Sequence, residues 1–208
     1  MAEEVLARIA EEVKNCRRCQ LWSSKTNPVV GEGNLSPEVM FIGEAPGKNE
    51  DLQGRPFVGA AGKLLTELLE GIGLRREDVY ITNVLKCRPP GNRDPLPEEV
   101  EACTPYLDEQ VKALRPKFIV TLGRFSTAYA FSRAGLSFTS MTRVRGKVFR
   151  ATLLGLKVSL MPTYHPAAAL YNPKLRDELV KDFNSIKREL EALRGGSTGR
   201  SLSLSDFM

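Results

Sequence analysis

Along the chain, short apolar runs alternate with stretches whose apolar residues recur every three or four positions, the patterns of buried strands and amphipathic helices. Residues 2 to 15 place Val5, Ile9 and Val13 four apart with Leu6 alongside, the stripe of a helix. VMFIGE, bounded by Pro37 and Gly43, predicts a first strand. Leu64, Leu65, Leu68, Leu69 and Ile72 predict a helix stopped by Gly71 and Gly73, and VYITNVL a second strand. Pro97 is placed to open a helix through EEVEACTPYLDEQVKAL, since proline at the first helical position loses no hydrogen bond. FIVTLG predicts a third strand, followed by a helix from about Arg124 to Arg133. Residues Arg143 to Leu154 alternate enough for a strand or hairpin, and KVSLMPTYHP gives a last strand ending at His165. Leu175, Leu179, Phe183, Ile186, Leu190 and Leu193 mark a long C-terminal helix.

This alternation predicts an α/β protein: three layers, α/β/α, around a central, mainly parallel four-stranded sheet. Residues 1–194 read as one domain and 195–208, opening GGSTGR, as a flexible tail. Ligands on such sheets bind outside the carboxyl ends of the strands, which here bear Gly43 and Glu44, Asn83, Gly123 and His165.

The loop after the first strand, GEAPGKNEDLQGRPFVGAAG, carries five glycines and two prolines, a composition for tight turns and close backbone approach to a ligand. It fails the P-loop pattern twice: Ile42 and Phe57 stand where the first glycine belongs, and Asn49 and Leu64 where Ser or Thr belongs. No GxGxxG follows a strand, which removes the dinucleotide reading.

Composition adds little: 208 residues with 42% hydrophobic content suffice for one core, and a net charge of +5 permits a polyanionic partner without singling one out. The start, MAEEVLARIAEEV, is acidic rather than signal-like, and no apolar run reaches membrane-spanning length, so an intracellular, cytoplasmic protein without a membrane partner is expected. A monomer is expected.

The four cysteines run Cys16-x2-Cys19-x67-Cys87-x15-Cys103. In a reducing compartment they read as metal ligands, able to close a zinc site or to hold a [4Fe-4S] cluster. A zinc ribbon normally has a second close pair, whereas Cys87 and Cys103 straddle a proline-rich loop and a helix start, which suits the cluster better.

His165, the single histidine, sits between prolines at the strand-end side of the sheet. Asn83 is polar within an apolar strand and needs a partner; its amide has the donor and acceptor to read a pyrimidine edge, or bonds a neighbouring loop. Phe57 is a flat apolar ring in a polar loop, a plate for a base or a loop anchor.

Taken together, GEAPGKNED, GRPFVGAAG, ITNVLKCRPPGNRDPLPEE, the cysteine spacing and PTYHPAAAL resemble a family 4 uracil-DNA glycosylase, the iron–sulfur type, over about residues 1 to 190. GEAPG and HPAA favour family 4 over the related family 5. The resemblance implies cleavage of the bond between uracil and deoxyribose in single- or double-stranded DNA, and a [4Fe-4S] cluster on Cys16, Cys19, Cys87 and Cys103. Phe57 would stack on the flipped base and Asn83 would bind its edge. His165, with backbone near Glu44 and Ala45, would stabilise charge on the uracil oxygen, and Glu44 would shape the pocket. Glu50 is the candidate for the sugar cation or attacking water, with Asp51 competing. Leu170 resembles the wedge residue, and Arg143 and Arg145, with Lys147, form a basic strand that would track the DNA backbone. Leu204, Phe207 and Met208 are spaced as in a sliding-clamp-binding peptide. The readings of another class are a non-catalytic iron–sulfur DNA-binding module and an electron-transfer protein.

Overall fold

The computed structural model describes residues 2–195. In chain order the elements are α1 (Ala2–Asn15), β1 (Glu32–Gly33), β2 (Val39–Gly43), α2 (Lys48–Gln53), α3 (Ala60–Gly71), β3 (Tyr80–Asn83), α4 (Pro97–Leu114), β4 (Phe118–Leu122), α5 (Arg124–Arg133), α6 (Met141–Val144), β5 (Phe149–Leu153), β6 (Leu156–Thr163), α7 (Pro166–Ala169) and α8 (Pro173–Gly195). The strands form one sheet in the order β1-β3-β2-β4-β6-β5. Strands β3, β2, β4 and β6 are parallel, and β1 and β5 flank them antiparallel.

Every residue of β2 and β4 is buried, as strands covered on both faces must be. Because side chains alternate along a strand, Met40 and Ile42 join Ile119 and Leu160 in a core under α1 and α4, with Leu6, Ile9, Tyr106 and Leu107. Val39 and Phe41 face the other way, joining Val120, Leu65, Leu69, Phe183 and Ile186 under α3 and α8. The three layers and the parallel four-strand centre are those expected; the sheet itself has six strands rather than four. Two-residue β1 lies in a segment whose prolines and glycines give no strand pattern.

Two further differences bear on the site. The glycine-rich stretch is not all loop, because α2 is set into it between Gly47 and Gly54, the latter in the left-handed region at φ 68°. The basic segment is not a strand at its start: Arg143 lies on α6 and β5 begins only at Phe149. Arg145 pairs with Glu178 and, at 2.7 Å, with Asp182, and lies over the Tyr164 ring, so its charge is answered within the protein. Arg143 is exposed. Leu204, Phe207 and Met208 fall outside the described residues. Among the described residues no helix is long and apolar enough to cross a membrane.

Candidate active site

The carboxyl ends of the parallel strands open onto a cleft of about 640 Å³, lined by Glu44, Ala45, Glu50, Phe57, Asn83, His165 and Leu170 among others. Register makes this assembly: Gly43 at the end of β2 lies opposite Asn83 at the end of β3. Pairing runs one step further, Val84 N–H donating to Gly43 C=O and Leu85 N–H to Glu44 C=O, each at 3.0 Å. A side chain at position 43 would collide with Asn83 Oδ1 at 2.3 Å and with the Phe57 ring at 2.6 Å, so only glycine lets amide and ring close over this backbone.

Phe57 is 6% exposed and stacks against His165, centroids 5.5 Å apart. It holds φ +51°, a strained value for a bulky residue that its surroundings must enforce. They do so from both sides. Arg76 donates to the carbonyls of Phe57 at 3.0 Å and Pro56 at 2.7 Å while paired with Glu32, and Gly62 on α3 packs against the Phe57 carbonyl so closely that a Cβ would lie 1.9 Å from it. Arg76 was not legible as part of the site, since it lies in a polar turn far along the chain.

Asn83 is 1% exposed, and its Oδ1 is a buried side-chain acceptor without a hydrogen-bond partner. Such an atom costs about 1–3 kcal/mol unless something fills its valence. Asn83 lines the cleft with Phe57 and His165.

His165 Nδ1 accepts the N–H of Ala167 at 3.1 Å, which leaves the ring proton on Nε2. Burial pushes its pKa from 6.5 down to about 4, against a weaker upward pull from Glu50, so the imidazole is a neutral donor near pH 7. Glu44 is pushed up from 4.5 to about 6, first by burial and then by Asp94, with Arg124 opposing.

These two shifts predict opposing pH effects on stability. Between pH 6.5 and about 4 the unfolded chain binds a proton at His165 that the folded chain refuses, so that contribution is complete above pH 6.5 and is lost as pH falls toward 4. At Glu44, from pH 4.5 to about 6, the folded chain keeps a proton that the unfolded chain has released, so stability falls as pH rises. Thermal unfolding between pH 4 and 7 should therefore show, relative to the unsubstituted protein, a steeper acid-side loss of Tm in Glu44→Gln and a shallower one in His165→Gln.

Glu50 Oε1 accepts the N–H groups of Val58 at 2.9 Å and Gly59 at 2.8 Å, clasping the loop beside Phe57, while Oε2 lies toward Gly47. Asp51, the competing carboxylate, is 3% exposed and turned the other way, accepting the N–H of Thr26 at 2.9 Å. Leu170 is 42% exposed at the cleft edge, beside Tyr171, which is 90% exposed and which apolar periodicity does not single out. Lys48, Asn92 and Arg93 also line the cleft, whereas Arg143 and Arg145 do not.

A second cavity, on the α1 and α4 side of the sheet, is lined by Cys16, Cys19, Cys87 and Cys103 with Lys86, Trp22 and Tyr106. All four cysteines are free thiols, and burial pushes Cys87 up to about 12 and Cys103 to about 11. Among the described residues no three Cys, His, Asp or Glu side chains converge as tightly as a single metal ion requires.

Residues 30–189 match the family described as the Uracil DNA glycosylase superfamily. A type-4 uracil-DNA glycosylase of Archaeoglobus fulgidus is 58% identical over 183 residues, covering 88% of this chain and 92% of that protein. From Pyrobaculum aerophilum, a type-4 uracil-DNA glycosylase is 50% identical over 177 residues (85% of this chain, 90% of that protein), and a type-5 enzyme 35% over 170 residues (74% and 72%). With the type-4 protein matching better than the type-5 protein of the same organism, the chain belongs to the uracil DNA glycosylase superfamily and, within it, to the type-4 uracil-DNA glycosylases.

Proposed function

We propose that the chain is a DNA-repair hydrolase that receives a flipped uracil in the Phe57–Asn83–His165 cleft and breaks its N-glycosidic bond, leaving an abasic site. The observation that carries this is the partnerless Asn83 Oδ1. An amide oxygen there would accept the N3–H of uracil, whereas cytosine brings a lone pair to that position. Family membership and the type-4 relatives support the same activity.

Flipping costs a few kcal/mol of stacking and pairing. Stacking of the base on the Phe57 ring returns about 1–3 kcal/mol. As the bond breaks, negative charge gathers on the uracil oxygens, and a neutral His165 Nε2–H is a preorganised donor for it, a role worth about 2.7–4 kcal/mol where one such donor is removed. Glu50, with one oxygen clasping the loop, keeps the other for the sugar cation or the attacking water. Glu44 and Ala45 wall the pocket, Leu170 with exposed Tyr171 would fill the space the base leaves, and Lys48 replaces Arg145 as the candidate for phosphate, Arg93 being held by Glu99.

The four cysteines line one cavity and are the donor set that a [4Fe-4S] cluster takes. When bound, the cluster supplies a cross-link among four thiolates, and the hydrolysis requires no electron. The described residues form a single unit that would act as a monomer, and clamp binding through Leu204, Phe207 and Met208 is left for the tail.

A uracil-containing oligonucleotide incubated with the protein and then treated with alkali should break at the uracil, and one with thymine or cytosine there should stay intact. Intact uracil strands, with iron present in the protein, would sink the enzyme reading.

A further inference from the structure

Lys86 is fully buried, and its ammonium donates to three oxygens, each at 2.7 Å: Thr82 Oγ1, the Asn83 carbonyl and Gln110 Oε1. All three are neutral. A buried cation is normally answered by a carboxylate or another anion, because desolvating it costs several kcal/mol. Among the described residues no ion pair reaches Lys86, but it precedes Cys87, lines the cysteine cavity, and its backbone N–H points at Cys103 Sγ at 3.3 Å. The tip of its side chain holds the carbonyl of Asn83.

We propose that Lys86 is a positioning residue that joins the two sites: its charge is the counter-ion of the iron–sulfur cluster, and its hydrogen bond to the Asn83 carbonyl fixes the backbone from which the uracil-reading amide projects. This rests on the cluster reading above. Four thiolates around an iron–sulfur core carry a net negative charge, which supplies the missing anion. The geometry is braced behind the lysine: Gln110 Nε2 donates to the Val30 carbonyl at 3.0 Å, and Thr82 Oγ1 donates to the same carbonyl at 2.7 Å. The strut therefore cannot swing away from Asn83. In this arrangement the cluster acts on the base-reading residue through one side chain, without electron transfer.

Two variants separate the charge from the hydrogen bond. Lys86→Met removes both, and the midpoint potential of the cluster should fall by about 59 mV or more, a tenfold change in the reduced fraction for one electron. Its kcat on uracil-containing DNA should drop about tenfold with KM within about twofold, as expected when the flipped base is misplaced while the contacts to the DNA backbone remain. Gln110→Glu keeps Lys86 and its bond to Asn83 but gives the ammonium its own carboxylate, at the cost of the Gln110 bond to Val30: the potential should fall similarly while kcat falls clearly less than in Lys86→Met. Iron content, redox titration and steady-state kinetics read all of this. An unmoved potential in Gln110→Glu overturns the counter-ion, whether or not Lys86→Met folds; an unchanged kcat in a soluble, iron-loaded Lys86→Met overturns the positioning. Absence of iron from the unsubstituted protein would instead defeat the cluster reading itself, a separate result.

Discussion

Replacing Asn83 with alanine lowers kcat/KM on uracil-containing DNA by about 10²–10³-fold, the size seen when a buried polar group aimed at the reacting substrate is removed. The protein stays as stable as before, or gains. Most buried side chains would not behave this way, because truncating them breaks contacts the fold uses. Asn83 Oδ1 makes no hydrogen bond in the protein, so alanine removes an unpaired acceptor rather than an interaction. The β3 backbone, in register with Gly43, does not depend on the amide. Melting curves and steady-state kinetics together decide the matter. A parallel loss of Tm and activity would mean that Asn83 is structural, and full activity would mean that the base is read elsewhere.

Cys87→Ala has the largest expected effect on the fold. It should lose iron, solubility and activity together. Cys16 and Cys19 follow α1, Cys87 follows β3, and Cys103 lies on α4, so a cluster on these thiolates ties three chain segments. Losing a cross-link that constrains the unfolded chain costs about 2–5 kcal/mol where a native disulfide is removed. At about 2–4 °C per kcal/mol for a protein of this size, that lowers Tm by about 4–20 °C. Activity follows because the segment after Cys87 delivers Pro89, Asn92 and Arg93 to the cleft wall. Iron analysis and thermal denaturation test this directly, and a variant that kept both its iron and its Tm would show that Cys87 is no ligand.

Where one physical pattern dominated, the sequence was legible. The four parallel strands are continuous apolar runs and could be found without knowing their partners, and from their ends followed the cleft that gathers Glu44, Phe57, Asn83 and His165. Chemistry at the residue level was harder. Glu50 and Asp51 are neighbours with the same functional group, and only the fold of α2 turns one toward Val58 and Gly59 and the other toward Thr26. Arg143 and Arg145 looked like free charge because the sequence does not reveal that α8 brings Glu178 and Asp182 beside Arg145. In the sequence Lys86 is one of four basic residues beside the cysteines, with Arg17, Arg18 and Arg88, whose charge would offset that of thiolates. Its burial depends on Gln110, 24 positions away on α4, and no local pattern announces that.

The strand order has a consequence for how this molecule comes into being. His165 follows Asn83 by 82 positions, so at about 5–20 residues per second a ribosome needs about 4–16 s to add the last wall of the site after the base reader has been made. Once β4 is complete at Leu122, it has one edge paired to β2 and the other open until β6 is made, after the edge strand β5. An open edge on a mostly apolar strand is a template for the wrong partner. Newly made chains are thus most exposed to aggregation just before they become active, and in refolding the return of activity should coincide with insertion of β6 rather than with the earlier formation of helices.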